Sequence, residues 1–274
     1  MIIDAHQHFW DISRGDYGWL TPALGKIYRN FEPQDLKPLL RDTGVDATIL
    51  VQAAPTVSET EYLLKIAEQE PFILGVVGWA DFEAADASHT IAKLARAPKL
   101  VGLRPMIQDI ADPDWMLKPQ LDPAFNALIK ADLTFDALVL PQHLENLHHL
   151  LQRYPKLRVV IDHGAKPPIS EQQFDDWARM ISQIAQETNA YCKLSGLATE
   201  ANEDWQPTDL DRYIRHMINC FGVERLIWGS DWPVATLAVE YSAWFELAQS
   251  YYPDTQQRSA VFGDNASRAY KIKT

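Results

Sequence analysis

Two histidines two residues apart, His6 and His8, lie near the start of the chain. The apolar residues before them predict a β-strand, and alternate side chains of a strand share a face. We therefore expect both imidazoles to project the same way from the carboxyl end of this strand. Two imidazoles that point together can hold a metal ion or polarise a carbonyl group. Alone, the pair is weak evidence, because histidines also pack as ordinary half-buried residues.

Eight short apolar runs predict eight strands, with helical patterns between them. They begin near Ile2, Ala47, Phe72, Leu100, Thr134, Arg158, Ala190 and Leu226. Strand–helix alternation repeated eight times is typical of an α/β fold of the (β/α)8 type, the TIM barrel. A doubly wound open sheet is the alternative. No Gly-x-Gly-x-x-Gly turn follows any predicted strand, so nothing indicates a nucleotide cofactor.

Helix boundaries carry their own signals. Ser58 with Glu61, and Ser170 with Gln173, have the spacing of a capping box at a helix start. Gly44 lies where a helix would end before the next strand. These patterns predict helices between the strands, as a barrel requires.

The composition limits the class of protein. The chain has 274 residues, 47% of them hydrophobic, and α/β barrels of about 250 residues fold as one domain, so we expect a single domain over 1–274. A net charge of −12 without a basic run argues against nucleic acid and an anionic membrane as partners. With only two cysteines, no secretory signal and no apolar stretch long enough to span a bilayer, we expect a cytoplasmic protein.

The longest irregular stretch runs from Trp10 to Glu32, between the first strand and its helix. A loop of this length is usually functional or disordered. Its aromatic residues, which include Tyr17 and Trp19, argue against disorder. We expect it to fold over the barrel mouth as a lid or pocket wall.

Polar side chains gather at the carboxyl ends of the predicted strands, where a barrel builds its active site. In chain order they are His6, His8, Gln52, Trp79, Asp81, Arg104, Gln142, His143, Asp162, His163, Lys166, Lys193, Ser195, Ser230 and Asp231. Each has an ordinary explanation, such as a helix cap for Asp231 or a snorkelling side chain for Lys193. Groups on different strands meet at one mouth only if the barrel assembles them, so the joint pattern predicts an active site.

Together, these residues resemble the amidohydrolase superfamily, whose pattern has His-x-His on strand 1, a histidine after strands 5 and 6, and an aspartate ending strand 8. The sequence is most similar to the amidohydrolase-2 branch of sugar-lactone hydrolases, the fuconolactonase-like and rhamnonolactonase-like enzymes. The segments that carry the resemblance span the chain: 3–10, 16–20, 102–104, 161–167, 193–197 and 228–233.

The resemblance implies a single divalent metal ion, with zinc as the first choice, or none. Many binuclear members have a carboxylated lysine on strand 4, where this chain has Arg104, which cannot be carboxylated in that way and would repel a metal. One zinc with an open position for water would suit His6, His8, His163 and Asp231. Without metal, the same imidazoles would donate hydrogen bonds to a carbonyl oxygen.

Opening a sugar lactone to its aldonic acid needs a polarised carbonyl, an activated water and a proton for the leaving alkoxide. We assign Asp231 as the general base, and His6, His8 and His163 as the groups that hold the metal or stabilise the oxyanion. Further contacts with the small-molecule lactone are expected from Arg104, Lys193, His143, Trp10, Trp19, Trp79 and Trp232. Core packing is an equal explanation for each tryptophan.

Two other functions stay open. Relatives on this scaffold include hydrolases of carboxylated lactones of the pyrone or muconolactone type and metal-dependent decarboxylases, whose acidic substrates would suit Arg104, Lys166 and Lys193. The aromatic loop favours a sugar. A barrel that binds a ligand without catalysis is disfavoured, because the base and all proposed ligands are present. The sequence leaves open which sugar is the substrate and whether the chain forms a homo-oligomer.

Overall fold

Eight parallel strands form one sheet in chain order in the computed structural model, which describes residues 1–272. They are β1 Ile3–Gln7, β2 Ala47–Val51, β3 Ile73–Gly78, β4 Leu100–Leu103, β5 Thr134–Ala137, β6 Val159–Ile161, β7 Tyr191–Leu194 and β8 Leu226–Trp228. Four begin at the predicted residue and four begin one residue later. Gln7 forms a parallel bridge with Trp232, which follows β8, so the last strand returns to the first. The predicted (β/α)8 barrel is confirmed.

Helices follow the strands around the outside of the barrel. They are α1 Pro33–Thr43, α2 Val57–Gln69, α3 Ala87–Leu94, α4 Asp122–Ala131, α5 Leu144–Arg153, α6 Asp175–Glu187, α7 Pro207–Arg225, α8 Tyr241–Ser250, α9 Thr255–Ser259 and α10 Asn265–Ala269. As predicted, α1 ends at Gly44, which adopts a left-handed conformation with φ of +71°. Within residues 1–272, no helix has the length and apolar character needed to cross a membrane.

Both predicted capping boxes are wrong. Helix α2 begins one residue before Ser58, and its cap is Thr56, whose hydroxyl accepts the N–H of Glu59 at 3.1 Å. Helix α6 begins only at Asp175, because Gln172 has a φ of +56°, a left-handed conformation that ends any helix starting at Ser170.

The barrel interior has a small apolar core of its own, separate from the larger one between strands and helices. Its members are Ile3, Ala5, Ala47, Ile49, Val51, Val77, Val160, Ile227, Ala266, Ala269 and Tyr270. The register of β1 against β2 shifts between Asp4 and Gln7, an irregularity of the kind that redirects side chains. His6 therefore reaches the same interior as Ala5, at the carboxyl end of the barrel.

Candidate active site

Four side chains from distant parts of the chain meet where the strands end. Ligand atoms of His6 (β1), His163 (after β6) and Asp231 (after β8) all lie within 4.8 Å of one another. Nε2 of His8 lies 3.2 Å from Nε2 of His6 and 3.4 Å from Oδ1 of Asp231. All four side chains are buried. The barrel thus brings together the four residues predicted as catalytic groups and metal ligands.

Backbone geometry aims two of these side chains. His163 has a φ of +53° and Asp231 a φ of +59°. Such left-handed conformations are uncommon outside glycine and concentrate at functional sites. The backbone N–H of Asp231 donates to the carbonyl of His6 at 2.8 Å, and the N–H of His8 donates to that of Trp232 at 2.7 Å. These two bonds join the end of β8 to β1 and so hold Asp231 beside the histidine pair.

The imidazole rings of His8 and His163 are each held by a further contact outside the cluster. Nδ1 of His8 lies 2.8 Å from the carbonyl oxygen of Val51, which can only accept, so Nδ1 carries a hydrogen and Nε2 faces Asp231. Nδ1 of His163 lies 2.8 Å from Oγ of Ser195. Partners of this kind orient the histidine ligands of metal sites.

The charge states in the cluster suit a cation or a polarised oxygen. Burial lowers the pKa of His163 to about 4. Burial and then the charge of Lys193 hold the pKa of His6 well below its usual value, so both rings are neutral at pH 7. Burial alone would raise the pKa of Asp231, but the surrounding imidazoles, above all that of His163, outweigh burial and lower it. Neutral imidazoles beside a carboxylate are the donor set of a divalent metal site.

A buried ionic network, not predicted from the sequence, lies beneath His6. Nζ of Lys193 is 2.6 Å from Oδ2 of Asp136 and 2.9 Å from Oδ1 of Asp162. Asp162 in turn faces Nη1 of Arg104 at 3.3 Å and Nδ1 of His6 at 3.5 Å. Burial opposes the ionisation of Asp162, but the charge of Lys193 outweighs it and lowers the pKa. The network therefore supplies a fixed carboxylate behind the His6 ring.

Lys193, expected to contact the substrate, does not line either of the two cavities described below. Its side chain is fully buried, and both of its carboxylate partners lie in the barrel interior. His143 also stays apart from the cluster: it is fully buried in the turn Pro141–His143, and its Nδ1 accepts the N–H of Leu140 at 3.1 Å. A position at a strand end indicates the correct face of the barrel but not the depth of the side chain.

Two of the four predicted tryptophans are packing residues. The indole N–H of Trp10 donates to the carbonyl of Arg29 at 2.7 Å, and the ring is fully buried. Trp232 is buried and packs edge-on against Phe9 and Phe31. Both therefore hold the long loop after β1 against the barrel, and the substrate contacts expected of them are not supported.

Two adjacent cavities open above the cluster. The smaller, here called the inner chamber, has a volume of about 150 Å³ and is lined by His8, Trp19, Ala53, Arg104, Met106, Gln108, Leu138, His163, Lys166, Asp231 and Val234. The larger, here called the outer vestibule, has a volume of about 590 Å³ and is lined by Gly18, Trp19, Pro55, Trp79, Ala80, Asp81, Phe82, Glu83, Pro105, Met106, Asp109, Ile110 and Trp115. Trp19 and Met106 line both cavities and mark their boundary.

The long loop after β1 forms part of the pocket wall, as expected, through Gly18 and Trp19. The indole N–H of Trp19 donates to the carbonyl of Ala53 at 2.7 Å, which holds the ring between the cavities. Arg104 lines the inner chamber and Trp79 lines the vestibule, so these predicted contact residues do reach a cavity.

Glu59 is a further buried acid, and the sequence pattern did not single it out. Its carboxylate accepts the backbone N–H groups of Ala53 and Ala54, at 3.0 and 2.7 Å, and so fixes the turn after β2. Burial raises the pKa of Glu59 to about 7, against the lowering effect of these two bonds. Nothing in the sequence distinguishes this residue from the other glutamates of an amphipathic helix.

We expect Glu59 to make the stability of the protein fall with rising pH. Its pKa rises from 4.5 to about 7 on folding, so its contribution is present below pH 4.5 and is lost as the pH approaches 7. When the pH rises from 5 to 7.5, the free energy of unfolding of the wild type should therefore fall by about 2 kcal/mol more than that of Glu59→Gln. Urea unfolding at both pH values measures this, and parallel pH dependences of the two proteins would refute it.

Gly196 leaves room for the His163 ring. It has a φ of +61°, and a Cβ at this position would lie 2.5 Å from Nδ1 of His163. We expect Gly196→Ala to displace the imidazole, to destabilise the protein by about 1–3 kcal/mol and to lower activity about 100-fold. Gly222→Ala is the matched control, because Gly222 has a φ of +62° but no atom within 4 Å of the added Cβ. Equal activity of the two variants would show that the contact does not matter.

The sequence is similar to a known protein family over nearly its whole length. Residues 3–272 match the sequence profile of a family described as amidohydrolase. The chain belongs to the amidohydrolase family. This amidohydrolase is 47% identical over 276 residues to the L-fucono-1,5-lactonase of Burkholderia ambifaria, covering 98% of this chain and 95% of that one. It is 34% identical over 290 residues to the L-fucono-1,5-lactonase of Burkholderia multivorans, covering 98% and 96% of the two chains.

A solved structure extends the similarity to three dimensions. The crystal structure of an amidohydrolase from Burkholderia multivorans with bound zinc has a TM-score of 0.92 to this amidohydrolase, at 32% identity and with 100% of both chains covered. The family predicted from the strand-end residues is thereby confirmed.

Proposed function

We propose that this amidohydrolase opens a sugar lactone of the L-fucono-1,5-lactone class to its aldonic acid. The observation that carries the proposal is the cluster of His6, His8, His163 and Asp231 at the inner chamber. That chamber has a volume of about 150 Å³, similar to an engineered cavity of about 150 Å³ that binds benzene, so it has room for a single small ring. The two L-fucono-1,5-lactonases at 47% and 34% identity support the choice of substrate.

Asp231 acts as the general base. Its carboxylate is ionised and lines the chamber, so it takes a proton from water as the water oxygen bonds to the lactone carbonyl carbon. His8 and His163 line the same chamber, with His6 beside His8, and these imidazoles stabilise the developing oxyanion. When the bond from the carbonyl carbon to the ring oxygen breaks, Asp231 returns the proton to that oxygen. The products are a carboxyl group and a free hydroxyl on one open chain.

The four residues also fit a metal ion. His6, His8, His163 and Asp231 would hold one divalent ion, and zinc suits their nitrogen and oxygen donors. When bound, the ion would polarise the lactone carbonyl and lower the pKa of a water ligand. The always-charged guanidinium of Arg104 lies 3.4 Å from Nε2 of His6, so we propose one ion rather than two. The zinc-bound relative supports this choice of metal.

Removal of the metal should change both activity and stability. We expect about one zinc per purified chain, loss of activity on chelation, and recovery when zinc is added. The melting temperature should fall on chelation, because an ion that binds only the folded state stabilises it. Elemental analysis, thermal unfolding and rate measurements on the same sample check this. Full activity of metal-free protein would overturn zinc catalysis and leave the imidazoles as direct hydrogen-bond donors.

A substrate panel tests the proposed function. Acid release is measured with a pH indicator for L-fucono-1,5-lactone, its epimers and a pyrone dicarboxylate, and CO₂ release is measured for an aromatic carboxylic acid, each against the uncatalysed rate. We expect kcat/KM for the best sugar lactone to exceed that for the pyrone diacid by about 100-fold or more. Turnover of the diacid or decarboxylation of the aromatic acid, without turnover of any sugar lactone, would overturn the proposal.

Acidic substrates have less support in the structure. Arg104, Lys166 and Lys193 are the three cations that would suit an acidic substrate. Lys193 lies in the barrel interior and is neutralised by Asp136 and Asp162. Lys166 faces Glu200 at 3.4 Å, which leaves Arg104 to meet a substrate carboxylate. A neutral lactone does not need more.

A further inference from the structure

The outer vestibule has no part in the reaction described above. Its volume is about 590 Å³, against about 150 Å³ for the inner chamber, and it lies within the range of about 300–1,000 Å³ usual for ligand pockets. Since Trp19 and Met106 line both cavities, a ligand seated in the inner chamber lies directly beside the vestibule.

The walls of the vestibule suit the apolar face of a sugar ring. Four aromatic side chains line it: Trp19, Trp79, Phe82 and Trp115. Trp19 and Trp79 are partly exposed, whereas Phe82 and Trp115 are buried and pack against each other with their ring centroids 6.2 Å apart. The electron-rich face of an aromatic ring attracts polarised C–H groups such as those of a pyranose.

Carboxylates at the vestibule favour a neutral ligand rich in hydroxyl groups. Asp81, Glu83 and Asp109 line it and are exposed. Among the described residues that line it, none is a lysine or an arginine. Carboxylates accept hydrogen bonds from hydroxyls and repel other anions. The vestibule therefore combines the two features that bind an uncharged sugar.

We propose that the vestibule binds a second, neutral pyranose ring carried by the lactone, so that the enzyme also opens glycosylated aldonolactones. The inference rests on the proposed function, because the lactone ring must occupy the inner chamber for its substituent to reach the vestibule. Because Trp19 and Met106 line both cavities, a substituent that leaves the inner chamber past these two side chains enters the vestibule.

Gly18 offers a variant that fills the vestibule without disturbing the chamber. It is exposed, it lines only the larger of the two cavities, and an added Cβ would meet no atom within 4 Å. Gly18→Phe places a ring in the vestibule, and Gly18→Ala is the control that adds only a methyl group. Ile110→Trp fills the vestibule from another wall. Circular dichroism and thermal unfolding verify the fold of each variant.

The experiment compares kcat/KM for L-fucono-1,5-lactone with that for the same lactone bearing a β-glucosyl group on each of its three hydroxyls in turn. We expect at least one glucosylated isomer to match or exceed the free lactone. Gly18→Phe should lower kcat/KM for that isomer about tenfold or more, while its kcat/KM for the free lactone stays unchanged. Replacing the glucosyl group by a glucuronosyl group should also lower kcat/KM about tenfold, because the carboxylates of the vestibule repel the added negative charge.

The outcomes separate the two proposals. If no lactone is hydrolysed, the proposed function fails and this inference fails with it. If the free lactone is hydrolysed but every glucosylated isomer is refused, only this inference is overturned. It is also overturned if Gly18→Phe and Ile110→Trp affect free and glucosylated lactones equally, or if they affect neither.

Discussion

Replacing Asp231 by asparagine is expected to lower kcat for lactone hydrolysis by about 10³-fold while leaving the fold intact. The carboxylate is buried, with its Oδ1 3.4 Å from Nε2 of His8 and 3.8 Å from Nε2 of His163. An amide of the same shape cannot take the proton from water. Asparagine also tolerates the φ of +59° at this position, so the loss should be one of chemistry.

Asp132→Asn is the matched control for this variant. Asp132 has a φ of +58° but lies exposed at the end of α4, where it pairs with Arg158 and Lys271. The same Asp-to-Asn change in the same backbone conformation should leave kcat unaltered there. Rates are followed with a pH indicator and folding by circular dichroism. Near-normal turnover in Asp231→Asn would remove Asp231 as the base.

Lys193→Met is expected to lower the free energy of unfolding by about 3–5 kcal/mol. The ammonium lies between two fully buried carboxylates, 2.6 Å from Asp136 and 2.9 Å from Asp162. Its removal leaves the Asp136 carboxylate without a cation in the barrel interior and leaves Asp162 with Arg104 as its cationic partner. Tyr270 donates a hydrogen bond to Asp136 at 2.7 Å, but a neutral donor replaces little of the lost charge interaction.

Urea unfolding measures the fall in the free energy of unfolding. A control variant shows how much of it any lysine-to-methionine change would cause. Lys37→Met removes an exposed ion pair with Glu70, so it should cost less than about 1 kcal/mol. Combining Lys193→Met with Asp136→Asn removes one unpaired carboxylate and should recover part of the stability. Unchanged stability in Lys193→Met, or further loss in the double variant, would show that the network does not hold the barrel together.

The strands and the residues of the candidate site were predictable because each depends on local pattern. Apolar runs set the strands, and parallel strands bring their carboxyl ends to one face of the barrel. His6, His8, His163 and Asp231 therefore converge whatever the details of packing. Asp162 also lies at the end of a predicted strand, next to His163. Its contact with the His6 ring depends on packing between distant strands, which no local pattern contains.

Depth within the barrel and packing between loops were not predictable. Lys193 and Ser195 both occur near the end of β7, yet Lys193 is the third residue of that strand and lies below His6. The partners of Trp10 and Trp232 come together only when the long loop folds back through the bridge from Trp10 to Phe31. The single domain over 1–274, the cytoplasmic location and the lack of nucleic-acid or membrane partners stay predictions.

We propose above all that Asp231 delivers water directly to the lactone carbonyl. A single turnover in H₂¹⁸O, with enzyme in excess over L-fucono-1,5-lactone, traces the oxygen by mass spectrometry, and a parallel sample with Asp231→Asn corrects for uncatalysed hydrolysis. We predict that the aldonate formed in this first turnover carries one ¹⁸O atom in its carboxylate. Unlabelled aldonate, with ¹⁸O appearing in Asp231 itself, would contradict the claim, because the oxygen would then come from a covalent acyl intermediate on that residue.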